Sequence, residues 1–176
     1  ASIACAGVCL TVTALSPRED GEPGCVFQVE AAAETLAKTS VGDWDVGTPI
    51  NLERSLKMGD ELGGHLVTGH VDGVGRIIKV DAIAPDPDEP WGATARFHIR
   101  APQGLARFIA AKGSICLDGT SLTVNTVEDD VFTVLLILHS FSVTTWGQRK
   151  QEDGVHVEVD LMARYAARLA EARGQG

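Results

Sequence analysis

The chain has 176 residues, 44% hydrophobic and 22% charged, the balance of a globular protein long enough to bury a sizeable core. A net charge of −9 with no Lys/Arg cluster argues against a nucleic-acid partner, and no apolar run approaches the ~20 residues of a membrane span. Cys5, Cys9, Cys25 and Cys116 form no C-x-x-C pair and have no histidine cluster beside them, which argues against zinc and disulfides and for a reducing cytoplasm.

In chain order the elements are short. Ile3 to Cys5, a turn at Ala6-Gly7 and Val8 to Leu15 read as a hairpin. The polar turn SPREDGEPG leads to a strand over Cys25 to Val29, a helical turn over Ala33 to Lys38 and a strand over Ile50 to Glu53. HLVTGHVDGVGRIIKV is β-rich and glycine-punctuated, and period-2 alternation over it puts His65 and His70 on opposite strand faces. DAIAPDPDEPWGA reads as a polar loop, ARFHIR as the returning strand, and PQGLARFI as one short helix with Pro102 at its start. Ile115 to Leu117, the turn Asp118-Gly119 and Thr120 to Val127 make another hairpin, since Asp-Gly favours a type I′ turn. Val131 to Leu136, a helical turn over His139 to Thr145, and Val155 to Val159 follow. The tail DLMARYAARLAEARGQG reads as a helix capped by Asp160. Its stripe of Leu161, Tyr165, Leu169 and Ala172 needs cover, from the chain's own barrel or another subunit.

The chain repeats itself once. SIACAGVCLTVT from Ser2 aligns with SICLDGTSLTVN from Ser114, with six of twelve positions identical, at an offset of 112. Further on the offset is 105, pairing Phe27 with Phe132, Thr39 with Thr144, Gly42 with Gly147, Glu53 with Glu158 and Leu56 with Leu161. The difference falls in one turn, SPREDGEPG against TVEDD, where length changes are tolerated. Short, closely spaced strands with glycine turns predict an antiparallel barrel. The second copy has the residues from Leu66 onward before its hairpin, whereas the first has only Ala1. The first copy is therefore expected to lack opening strands and a helix, leaving it an incomplete barrel; the alternative is a smaller first unit.

GVCLTV, ETL…T, NLERSL, GDELGGHLVTGHVDGVG, KGSICLDGTSLTV, VTTWG and VEVDLMARY together resemble the signatures of the riboflavin synthase family, across nearly the whole chain. The resemblance implies an all-β chain of two similar antiparallel six-stranded Greek-key barrels plus a C-terminal helix, divided at 1–65, 66–160 and 161–176. It implies a homotrimer, with each site formed between the N-terminal barrel of one subunit and the C-terminal barrel of its neighbour, and lumazine synthase as a further partner. The implied reaction is dismutation of two 6,7-dimethyl-8-ribityllumazine molecules to riboflavin and 5-amino-6-ribitylaminouracil, with no cofactor and no metal. Stacking two rings is proximity catalysis, and the C7 methyl of one lumazine must lose a proton. Three departures stand out. The family's opening Met-Phe-Thr-Gly is absent, Leu138 and Ser140 replace a proline and a threonine, and Ala6 stands where asparagine is frequent.

Cys9 meets Ser121 in the repeat, and Ser55 meets Asp160, so the two copies differ where chemistry is expected. On statistics alone Cys9 is a small buried hydrophobe; the resemblance makes it an active-site thiol. His70 is either a hydrogen-bonded structural residue or, by resemblance, the general acid/base, while His65 is read as structural. Ser121 and Thr123 alternate onto one strand face, where both hydroxyls can enter one pocket or simply pair across strands. The resemblance gives them, with Asp160 and Ser2, catalytic roles. It assigns substrate binding to Thr11, Glu34, Thr35, Val71, His139 and Ser140, the paired residues Glu34-Thr35 and His139-Ser140 lying at heads of short helices with free backbone N–H groups. A non-catalytic lumazine- or flavin-binding relative and an inactive fragment are the competing readings. A flavin reductase is disfavoured, because no G-x-G-x-x-G follows a strand.

Overall fold

The computed structural model describes residues 1–84 and 92–174, so most of the proline-bearing loop predicted over 81–93 lies outside the described residues, while its first three residues continue the preceding strand. The first copy folds as β1 (Ser2–Cys5), β2 (Val8–Pro17), β3 (Cys25–Val29), helix α1 (Ala33–Lys38) and β4 (Leu52–Arg54). After a linker come β5 (Gly73–Ile83) and β6 (Thr94–Arg100). The second copy follows as β7 (Ser114–Leu117), β8 (Thr120–Glu128), β9 (Val131–Ile137), α2 (Leu138–Val143) and β10 (Gly154–Val159), and the chain ends in α3 (Leu161–Arg173).

The same meander is built twice. The first sheet runs β3-β2-β1-β4 and the second copy repeats it as β9-β8-β7-β10. Register slips repeat too, between Val12 and Ala14 in one copy and between Val124 and Thr126 in the other. Only the second sheet closes: β5 and β6 pair with each other, β5 with β10 and β6 with β9, giving a six-stranded antiparallel barrel. Its interior is filled by Phe97, Phe132, Trp146, Ile77, Ile99 and their neighbours, with the Trp146 ring edge-on to Phe97 at 4.8 Å between centroids. In the first sheet, only Cys5, Val8 and Leu10 are fully buried in the core, with Phe27, Val29, Trp44 and Val71 packed partly over them.

The two copies join turn to turn. Ala6 and Asp118 both sit at φ +47°, followed by Gly7 at +79° and Gly119 at +81°, the type I′ geometry that the Asp-Gly pair predicts. A Cβ on Gly7 would come within 2.6 Å of the Gly119 nitrogen, and one on Gly119 within 2.9 Å of the Gly7 nitrogen, so the seam admits only glycine. On either side the contacts are reciprocal. Asn51 Nδ2 donates to Asp118 O at 2.9 Å, and His156 Nδ1 donates to Ala6 O at 2.8 Å. Asn51 Oδ1 accepts from Thr145 N at 2.9 Å, and His156 Nε2 accepts from Ser40 N at 3.0 Å. Because an amide N–H only donates, His156 carries its proton on Nδ1.

Two predicted elements differ. The segment from His65 to Asp72 is irregular rather than extended, so His65 and His70 are not on opposite faces of a strand, and the barrel begins at Gly73. Gly69, at φ +75°, and the bonds from Thr68 and Gly69 to Glu158 of the second copy replace strand pairing there. PQGLARFI yields only a 3₁₀ turn over Ala106–Phe108, after a turn at Gly104, which takes φ +81°. The α3 stripe is not covered by the chain's own barrel: Tyr165 and Leu169 are 60% and 64% exposed. The helix is held by ions instead, Arg164 forming a two-pronged pair with Asp72 at 2.7 and 2.8 Å, and by the Asp160 cap, whose Oδ1 accepts from Met162 N. No helix among the described residues is long and apolar enough to cross a membrane.

Candidate active site

Buried Glu158, on β10, fixes the linker. Its Oε1 accepts from Thr68 N at 2.9 Å and Thr68 Oγ1 at 2.8 Å, and its Oε2 accepts from Gly69 N at 2.9 Å. Gly69 O in turn accepts from Cys9 N at 2.8 Å. The approach is so close that a Cβ on Gly69 would lie 2.6 Å from that of Cys9. A carboxylate of the second copy therefore lays the Gly69-His70-Val71 segment against β2 of the first.

The result is a cleft of about 460 Å³ lined by Cys9, Glu34, Thr35, Thr39, His70 and Val71, among others. That volume is within the roughly 300–1,000 Å³ range of small-molecule sites. Cys9 is exposed, unlike Cys5 beside it, whose thiol is pushed up by burial and then by Cys9. Cys116 on β7 is raised further, to about 12, by burial first and by Glu158 second, so it stays a neutral thiol.

A second cleft, of about 620 Å³, lies where the copies meet, lined by Asn51, Glu53, Ser121, Ser142, Thr144 and neighbouring residues. Ser121 thus occupies in this cleft the place that Cys9 occupies in the other. The short helices above them are built alike: Thr39 Oγ1 donates to Thr35 O at 2.6 Å, and Thr144 Oγ1 to Ser140 O at 2.5 Å. Ser2 lines a third hollow with Cys9, Ser55 and Thr68, where Ser55 Oγ donates to Ser2 O at 2.5 Å.

The structure therefore gathers Cys9, Glu34, Thr35, His70 and Val71, and places Ser121 apart from them. Ser121 and Thr123 do share a strand face, but it is the outer one, because Leu122 and Val124 turn into the apolar interior. Among the described residues the barrel interior is filled by apolar side chains, and of these two hydroxyl residues Ser121 alone lines one of the clefts above. Thr11, exposed and paired opposite Ser2, and Thr123, His139 and Ser140 lie outside those linings. Asp160 sits at the head of α3 as its cap. Sequence reasoning missed Thr39, Asn51 and the anchoring role of Glu158. The Thr39/Thr144 and Glu53/Glu158 identities in the repeat were the available signal for two of them.

A sequence model of the lumazine binding domain matches residues 1–55 and 68–160. The riboflavin synthase of Brucella abortus (strain 2308) is 57% identical over 171 residues, covering 97% of this chain and 80% of that protein. The chain belongs to the riboflavin synthase family. The riboflavin synthase of Mycobacterium tuberculosis (strain ATCC 25618 / H37Rv) is 40% identical over 176 residues, covering 98% of this chain and 81% of that protein. Among solved structures, LumP complexed with riboflavin superposes with a TM-score of 0.71 at 22% identity, over 90% of this chain and 77% of that one. LumP complexed with 6,7-dimethyl-8-(1'-D-ribityl) lumazine gives 0.70 at 20% identity, over the same shares. These likenesses establish the lumazine-binding barrel fold; the sequence relatives establish the riboflavin synthase family.

Proposed function

We propose that the chain is a riboflavin synthase, transferring a four-carbon unit between two 6,7-dimethyl-8-ribityllumazine molecules to give riboflavin and 5-amino-6-ribitylaminouracil. The observation that carries this reading is the pair of related but unlike clefts, one presenting Cys9 and His70 and the other Ser121, in a chain 57% identical to a riboflavin synthase. Two molecules of one compound must take opposite parts in a dismutation, and unlike walls around like pockets permit that.

In this reading the Cys9 cleft holds one ring against Val71 and the Thr35 hydroxyl, with His70 moving protons at its edge. Glu34 lies on the rim. Ser121 serves the other ring, with Thr123, Ser140 and His139 on the same side of the second copy; Ser2, Thr11 and Asp160 lie further out. The chain assembles as a homotrimer in the cytoplasm, with lumazine synthase as a further partner. The apolar residues Met162, Tyr165 and Leu169, each exposed on α3, support the assembly, which places the Cys9 cleft of one subunit before the Ser121 cleft of the next. Light scattering of the purified chain reads the subunit count.

The reading is tested by mixing the purified chain with 6,7-dimethyl-8-ribityllumazine and following riboflavin by absorbance. Riboflavin forming at half the rate of lumazine loss is expected. Ligand binding seen by fluorescence, with no riboflavin formed, would replace the enzyme with a lumazine-binding protein.

A further inference from the structure

The imidazole of His65, read from the sequence as structural, touches Ser121. Its Nδ1 lies 2.7 Å from Ser121 Oγ, and its backbone N–H donates to the same oxygen at 3.2 Å. The hydroxyl has one proton and two lone pairs, and the backbone N–H takes one pair. The imidazole then sets the rest. With Nδ1 bare, Ser121 donates to it and turns a lone pair toward the cleft. With Nδ1 protonated, Ser121 accepts from it and turns its proton toward the cleft.

The corresponding residue of the first copy is wired differently. The amide of Cys9 donates to Gly69 O, and the linker residue lining its cleft is His70. One linker thus runs past both copies, setting a histidine onto the side chain of Ser121 and a backbone carbonyl onto the amide of Cys9.

We infer that His65 and Ser121 form a two-residue proton relay serving the lumazine in the Ser121 cleft, with His65 as the base that acts through the serine. The inference rests on the reading of the site as a lumazine site. The C7 methyl gives a proton to Ser121 Oγ as the Ser121 proton passes to His65 Nδ1. The lumazine keeps the electron pair, delocalised in its ring as an anion; the serine ends as a neutral hydroxyl and His65 as an imidazolium. Reversal returns the proton, so no oxidant or co-reactant is consumed.

Deuterium exchange at the methyl reads this half-reaction without requiring riboflavin to form. The full chain is mixed with 6,7-dimethyl-8-ribityllumazine in D₂O, and loss of the C7 methyl signal is followed by proton NMR. The wild type should exceed buffer, and His65→Ala and Ser121→Ala should each slow the enzymatic exchange by about 10²-fold, the lower range for a positioned acid–base group. Ser121→Ala combined with His65→Ala should be no slower than Ser121→Ala alone. His65→Asn carries an amide nitrogen where Nδ1 stands, so it should keep lumazine affinity and the thermal midpoint of the wild type, yet not the exchange rate. Recovery of the rate by His65→Asn would make His65 an orienting group only and overturn the relay. Additive losses in the double variant, or no exchange above buffer in the wild type, would overturn it as well. Exchange without riboflavin formation leaves the relay standing and removes the dismutation instead.

Discussion

The two copies of the repeat share a strand order, a turn geometry and a bulge position, yet one is an open four-stranded sheet and the other a closed barrel. The difference lies in β5 and β6, which join β10 to β9 and seal the interior of the second copy. Phe27 and Phe132 occupy matching positions, but only Phe132 is fully buried, at 1% exposure. A matching pattern of apolar residues therefore does not fix burial; closure does. The first sheet draws its order from the second copy, through the turn-to-turn seam and through the linker that Glu158 holds.

The sharpest way to break this comparison is to truncate the two phenylalanines. Phe132→Ala should cost about 3–5 kcal/mol, the range for a large side chain lost from a packed core. Phe27→Ala, half-buried on the open sheet, should cost about 1 kcal/mol, in proportion to the smaller area it hides from water. Urea unfolding of both variants decides it, and equal losses would mean that the first sheet is as well packed as the barrel.

Next in size is Gly69→Ala. The residue sits at φ +75°, and a Cβ there would lie 2.6 Å from that of Cys9, so a methyl group should cost about 1–3 kcal/mol. It should also weaken lumazine binding at the Cys9 cleft more than at the Ser121 cleft. Equal weakening at both would mean that the linker does not shape the Cys9 cleft in particular.

The seam sharpens the comparison further. Asn51→Ala and His156→Ala each remove a donor to the opposite turn and an acceptor for the opposite backbone. Each should cost about 1–3 kcal/mol by leaving those groups unpaired. A large loss at one and none at the other, by thermal melting, would show that the reciprocity is geometric but not energetic.

Much of this was legible beforehand. Strands and both short helices follow from hydrophobic runs and turn residues, and the Asp118-Gly119 turn predicted its own backbone geometry. The repeat disclosed the doubled architecture, because matching residues at fixed offsets need matching folds. The linker was not legible: His65 and His70 sit in a β-rich run, and only contacts with Glu158, Cys9 and Ser121, distant in sequence, bend it away from a strand. Alternation put Ser121 and Thr123 on one face but did not say which, since that depends on which side of the sheet closes. The seam escaped notice because Asn51 and His156 differ in type while making equivalent bonds.

The smallest effect is kinetic. Cys9 and Cys25 are exposed, whereas Cys5 and Cys116 are buried, with Cys116 raised to about 12. A disulfide reagent at neutral pH should modify the first two in the native chain and the other two only after unfolding. Rapid modification of Cys116 in the native state would mean that the barrel opens.

The most direct test of two unlike clefts in one chain is calorimetric titration with 6,7-dimethyl-8-ribityllumazine. Two binding events per chain of different affinity are expected, with Thr35→Trp filling the Cys9 cleft and removing one, and Ser142→Trp filling the Ser121 cleft and removing the other. A single binding event in the unaltered chain, or loss of both events on either substitution, would contradict the account.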